Sequence, residues 1–466
     1  MADSEMDKKR KVVLLVMFFW VLAATFRGCS SASNQQHSRR KHTLSVAASS
    51  AANRFGSSAL FPIQGNVYPD GYYYVSLNVG EPPKPYYLDI DTGSDLTWLQ
   101  CDAPCVRCTK APHPLYRPNN NLVLCKDPFC ASLNLPNGPK CETPEEQCDY
   151  EIEYADHGSS LGVLVKDIFQ LRFTNGSLLR PHLSFGCGYD QQVSDATSYP
   201  LMDGVLGLGG GKSSIVSQLH GQGLTRNVIG HCFSGRGGGF LFFGDDVVPS
   251  SGVVWTPMLH SSLNKHYSPG PTELIYGGQH TGVKRLFVVF DSGSSYSYFN
   301  SQAYQAFISL VRKDLNGKPL REALDDRTLP VCWKGPKPFK SVRDVQKYFK
   351  LVVLSFPNSR KAQLEFPPEA YLIITSRGNV CLGILNGTEV GLKNLNIIGD
   401  ISLQDKMVIY DNEKQQIGWI PADCDRLPNV DRDNMEGFFL PYAASLGILT
   451  ESYHSTYGSR EDKYHE

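Results

Sequence analysis

The chain has 466 residues, 41% hydrophobic and 11% aromatic, with 42 glycines and a net charge of −1. At roughly 150 residues per domain this length predicts two lobes plus extensions, and the composition excludes a disordered or collagen-like chain. A near-neutral chain has no field to gather nucleic acid or an anionic membrane, so neither is expected as a partner.

In chain order, Lys8, Lys9, Arg10 and Lys11 precede the apolar run Val12 to Phe26, and small residues follow at Ser30, Ser31, Ala32 and Ser33. This predicts a secretory signal peptide over residues 1–33. The alternative is an uncleaved signal anchor, although roughly 15 apolar residues fall short of the ~20 that a spanning helix needs. Residues 34–66 are polar and Ser/Ala-rich, with Arg39, Arg40 and Lys41, and read as a removable prosegment or a linker.

Beyond them come short β-branched or aromatic runs bounded by Gly, Pro, Asn or Asp: Tyr72 to Val79, Tyr86 to Ile90, Glu151 to Tyr154, Val163 to Phe173, Phe240 to Phe243, Leu286 to Phe290, Val352 to Phe356 and Lys406 to Tyr410. The clearest helical windows are Ser214 to His220 and Gln302 to Leu315. Mostly antiparallel sheet with minor helices follows. The apolar stretch Phe438 to Leu449 contains Pro441 and ends in a charged tail, which does not fit a lipid-anchor signal.

Of 13 cysteines, Cys29 lies in or near the leader. The others are Cys101, Cys105, Cys108, Cys125, Cys130, Cys141, Cys148, Cys187, Cys232, Cys332, Cys381 and Cys424, an even set that predicts disulfides in an oxidising compartment, with connectivity open. Zinc is the rival reading, through Cys105-x-x-Cys108 with Cys101 nearby, but no second pair follows at finger spacing. Asn175 and Asn386 begin N-x-[ST] sequons and are glycosylation candidates.

An internal repeat organises the chain. Asp91-Thr92-Gly93-Ser94 follows one apolar strand and Asp291-Ser292-Gly293-Ser294 follows another, 291 − 91 = 200 positions later. Downstream stand Val205-Leu206-Gly207, at 207 − 91 = 116, and Ile397-Ile398-Gly399, at 399 − 291 = 108. Two lobes built on one plan are predicted, residues 67–250 and 251–424, with a polar tail at 425–466.

Two acids at matching strand-to-turn corners suit amide hydrolysis by water. Carboxylates about 3 Å apart cannot both ionise, so they share a proton and supply base and acid together. The glycine after each acid allows tight turning and close approach, and Ser94 and Ser294 are placed to hold the outer carboxylate oxygens. Activity at acid pH is the consequence. No cofactor or metal is called for.

Asp91 to Trp98, Asp203-Gly204-Val205-Leu206-Gly207-Leu208-Gly209, Asp291 to Ser294 and Ile397-Ile398-Gly399-Asp400 together resemble the pepsin-type aspartic proteases over residues 70–424. The resemblance is to the plant branch with nucellin-like and nepenthesin-like enzymes, whose cysteine-rich insertion Cys101 to Cys148 looks like. It implies a bilobal, mostly β fold of two pseudo-twofold-related lobes with a cleft between them. It also implies catalytic Asp91 and Asp291, and a flap hairpin in which Tyr154 bonds Trp98 near a tip containing Gly158. His157 looks like an extra residue in that tip.

Leu206 to Ser213 is similar to a phosphate loop but has Leu206 where the motif needs glycine. No H-E-x-x-H or G-x-S-x-G is present. The expected function is an acid endopeptidase of the secretory pathway, extracellular or vacuolar, acting as a monomer on polypeptides. The competing reading is a catalytically silent binding or inhibitor protein on the same fold.

Overall fold

Alternation in the strand Tyr72–Val79 sets the building rule: Tyr73, Val75, Leu77 and Val79 are buried, while Tyr72, Tyr74 and Ser76 lie on the other, partly exposed face. The computed structural model describes residues 57–427, except 104–107, 109, 134–140, 156, 193–201, 260–265, 358, 360 and 361. The leader, Cys29, Cys105, residues 34–56 and the tail from 428 onward lie outside the described residues.

The first strand, β1 (Ala59–Asn66), pairs antiparallel with β2 (Tyr72–Val79) and with Gly239–Phe243. This corrects the boundary drawn at residue 66. Leu60, Phe61 and Ile63 are buried on both sides of β1, a continuous apolar pattern that two-period alternation does not register. Next, β2 pairs with β3 (Lys84–Asp91), which delivers the first acid to the end of a core strand. The helices Ile215–Gly221 and Ser301–Leu315 start one residue away from expectation, capped by the side chains of Ser214 and Asn300.

The repeat is a repeat in three dimensions. Strand β3 runs parallel to Gly204–Gly207, with Ile90 opposite Leu206 and Asp91 opposite Gly207. Leu286–Phe290 runs parallel to Asn396–Ile398, with Phe290 opposite Ile398. In each half a short strand after the Asp-containing loop, β4 (Trp98–Gln100) or Ser297–Phe299, lies antiparallel to that same segment.

The halves are joined by sheet rather than by a simple linker. Val228–Phe233 of the first half pairs with Lys406–Asp411 of the second, which continues through Gln416–Pro421 to Val254–Pro257. One continuous apolar core spans both halves. Disulfides join Cys101 to Cys187, Cys125 to Cys141, Cys130 to Cys148, Cys232 to Cys424 and Cys332 to Cys381. Cys108 is disulfide-bonded as well, so Cys101 and Cys108 have no thiolates to offer zinc.

Candidate active site

Each acid sits where a core strand stops. Leu88 and Ile90 point into the core and are fully buried, which leaves Asp91 on the opposite face, 6% exposed. Asp291 follows the equally buried Phe290. The glycines are required by proximity: a Cβ on Gly93 would come within 2.6 Å of Asp291 Oδ1, and one on Gly293 within 2.7 Å of Asp91 Oδ1. No side chain fits at either position.

Backbone and hydroxyl groups hold both carboxylates. Gly93 N donates to Asp91 Oδ1 at 2.7 Å and Gly293 N to Asp291 Oδ1 at 3.0 Å. Ser94 Oγ donates to Asp91 Oδ2, and Ser294 Oγ to Asp291 Oδ2 at 3.2 Å. The loops also grip each other. Thr92 N donates to Ser292 Oγ at 3.1 Å and Ser292 N to Thr92 Oγ1 at 3.0 Å. Their hydroxyls then donate onward, Thr92 to the Phe290 carbonyl at 3.2 Å and Ser292 to the Ile90 carbonyl at 2.8 Å.

Burial, then the charge of Asp291, pushes Asp91 up to about 7 against the pull of Ser94 and Gly93. Burial also raises Asp291, offset by Gly293, Ser294 and Asp91 itself. Each carboxyl acts on the other's ionisation, so the pair titrates as a unit. Asp400, 1% exposed, lies close enough to interact with both; its Oδ1 has no hydrogen-bond partner among the described residues.

The hairpin expected as a flap is that of β5 (Asp149–Glu153) and β6 (Ser159–Arg172), closed by Tyr154 N donating to the Gly158 carbonyl at 2.7 Å. Trp98 Nε1 donates to Tyr154 Oη at 2.7 Å, which fixes the tyrosine toward the dyad. Burial and the charge of Asp91 hold its phenol far above the ordinary value. His157 takes φ = 67°, the left-handed conformation of a tight tip. Its Nε2 lies 3.2 Å from where a Cβ on Gly391 would sit, so the extra residue reaches the second half of the chain. The cysteine-rich insertion buttresses the flap, since Cys130 and Cys148 pack in one apolar cluster with Trp98 and Tyr150.

Other residues carry roles that sequence reasoning missed. The run Gly209-Gly210-Gly211, resembling a phosphate loop, wraps the Asp95 carboxylate: Cβ atoms on Gly209 and Gly211 would lie 2.2 and 2.1 Å from its oxygens, and Gly211 N donates to Oδ1 at 2.8 Å. Asp203 accepts from Tyr87 N at 2.6 Å and pairs with His113 Nδ1 at 2.7 Å, tying the second segment to β3. His266 Nδ1 lies 3.0 Å from the Gly93 carbonyl. Of the two sequons, Asn175 is exposed. Asn386 is 6% exposed and its Nδ2 donates to Glu389 at 2.8 Å, which leaves a glycan no room there. A cavity of about 1150 Å³ lined by Trp255, Gln363, Lys406 and Trp419 lies away from the dyad and belongs to no part of this site.

A rice protein, an aspartic proteinase of Oryza sativa subsp. japonica, is 47% identical over 386 residues, covering 80% of this chain and 93% of its own. The chain belongs to the pepsin-like aspartic proteases of plants. Family models described as xylanase inhibitor N-terminal and C-terminal match residues 73–245 and 273–421. Aspartic proteinase nepenthesin-2 of Nepenthes gracilis is 26% identical, covering 76% of this chain and 78% of its own. Among solved structures, the fold is shared with basic 7S globulin from soybean, at TM-score 0.61, 17% identity and coverage of 80% and 98%. It is shared too with an aspartic proteinase from Irpex lacteus, at 0.55, 18%, and 79% and 98%.

Proposed function

We propose that the protein is an aspartic endopeptidase that hydrolyses peptide bonds at acid pH through Asp91 and Asp291. The observation that carries this reading is the mutual placement of the two carboxyls. Each is fixed by its own loop's N–H and hydroxyl, each abuts the other lobe's glycine, and the charge of one raises the pKa of the other. A water held between them loses a proton to the ionised carboxylate as its oxygen attacks the peptide carbonyl. The protonated partner meanwhile donates to the carbonyl oxygen, and a second transfer to the amide nitrogen releases the amine. Tyr154, anchored on Trp98, covers the substrate and excludes bulk water.

The substrates are polypeptides, bound by a monomer that carries both acids. Residues 1–33 act as a signal peptide and residues 34–56 as a prosegment or linker, which places the mature protein outside the cell or in the vacuole; disulfides and a glycan on Asn175 accord with that route. Among the described residues no helix is long and apolar enough to cross a membrane. The second reading, a silent binding or inhibitor protein, is favoured by the inhibitor family models and the 7S globulin fold neighbour.

Digestion of a denatured protein between about pH 3 and 7, beside Asp91→Asn and a statine peptide, separates the two. Acid-dependent cleavage that the peptide blocks and the variant lacks supports the peptidase. A folded, mature wild type that cuts nothing supports the silent protein.

A further inference from the structure

Strand β3 carries two acids on one face. Side chains alternate along a strand, so Asp89 stands beside Asp91, about 6.7 Å along the chain from it. Its neighbours Leu88 and Ile90 are fully buried in the core, whereas Asp89 is partly exposed. Across the ladder it faces Tyr74 on one side and Val205 on the other, and Val205 in turn pairs with Trp98, the anchor of the flap tyrosine. Tyr72 and Tyr154 both interact with its charge.

Among the described residues no cation is among the groups that act on this carboxylate. It accepts one backbone N–H, that of Ile90, and the other groups acting on it are Asp91, Asp291 from the second half, and Asp400 from the helix Asp400–Leu403, all acids. Burial and these neighbours push it well above the usual carboxylate range. A partly exposed acid acted on by other acids, with Tyr74 across the ladder and Tyr72 and Tyr154 nearby, suits a long cationic side chain: the methylenes lie along the rings and the head group meets the carboxylate.

We propose that Asp89 selects peptides with lysine or arginine immediately beside the scissile bond, its carboxylate receiving the cationic head while Tyr72, Tyr74 and Trp98 flank the stem. This rests on the peptidase reading above. A bound cation favours the ionised carboxylate, so the preference for a charged residue strengthens as pH rises through the working range.

The test compares kcat/KM for matched peptides carrying lysine or uncharged norleucine at each residue flanking the cut. The enzymes are wild type, the near-isosteric Asp89→Asn and the charge-preserving Asp89→Glu. Wild type is expected to prefer lysine at one position by about ten- to a hundredfold, the factor a hydrogen bond to a charged group supplies. Asp89→Asn brings the ratio near one, and Asp89→Glu retains part of it. A wild-type enzyme that digests denatured protein yet ignores charge at both positions overturns the assignment alone, as does a ratio unchanged in Asp89→Asn. A wild type that cuts neither peptides nor denatured protein overturns the peptidase reading and this inference with it.

Discussion

Replacing Thr92 by valine keeps the shape of the side chain and removes one oxygen. That oxygen accepts from Ser292 N at 3.0 Å and donates to the Phe290 carbonyl at 3.2 Å, while Thr92 is 0% and Ser292 1% exposed. Thr92→Val therefore leaves one N–H and one C=O buried without partners. Each such group costs about 1–3 kcal/mol, so the variant is expected to lose about 2–6 kcal/mol of stability. Chemical denaturation followed by tryptophan fluorescence reads the loss as a lower midpoint with an unchanged slope. The same bonds set the carboxyl separation, and an ångström of misplacement costs about a hundredfold in rate, so kcat is expected to fall by about that factor with KM nearly unchanged. A variant that loses less than about 0.5 kcal/mol and keeps its kcat would refute the view that the two loops align each other.

Tyr154→Phe removes the acceptor for Trp98 Nε1 at 2.7 Å; kcat/KM is expected to fall about five- to tenfold, read on one peptide at fixed pH, with thermal stability little changed. The dyad binds protons more tightly folded than unfolded, since Asp91 rises from 3.8 to about 7. Its contribution is thus fully present below pH 3.8 and is lost as pH climbs to about 7. The difference in stability between wild type and Asp91→Asn, read from melting scans of both across that window, is expected to fall by a few kcal/mol as pH rises. His231 works in the opposite direction. Burial drives it down to about 3 from 6.5, so its contribution is complete above pH 6.5 and is lost as pH falls toward 3. His231→Phe removes that rise, so the variant is expected to lose stability with increasing pH more steeply than wild type in the same scans, although it forfeits the 3.1 Å contact between Nε2 and Tyr410 Oη.

Much of the site is legible in the chain because its signals are local. A strand that ends in Asp-[Thr/Ser]-Gly-Ser specifies a corner, and two such corners with matching downstream segments specify a pair. Tyr154 and Trp98 are legible only through the family resemblance, which matches one to a hairpin and the other to the strand after the first acid. What escaped depends on distant register. β1 lies in the stretch 34–66 that reads as a prosegment or linker and becomes a core strand only because Gly239–Phe243 and β2 sit on either side of it. The glycines at 209 and 211 make sense once Asp95, more than a hundred residues earlier, is seen between them. The burial of Asn386 likewise follows from its place beside Ser297–Phe299, which a three-residue motif cannot encode.

The bond between Cys232 and Cys424 bears on how such a molecule ages among proteases. It ties the last strands of the fold to the first half, across 192 positions of chain. A nick in the exposed turn Ser250-Ser251-Gly252 would separate the sequence into one piece carrying Asp91 and another carrying Asp291. Covalently stapled, and still zipped along Val228–Phe233 and Lys406–Asp411, the pieces would stay together as a two-chain molecule with both acids in register.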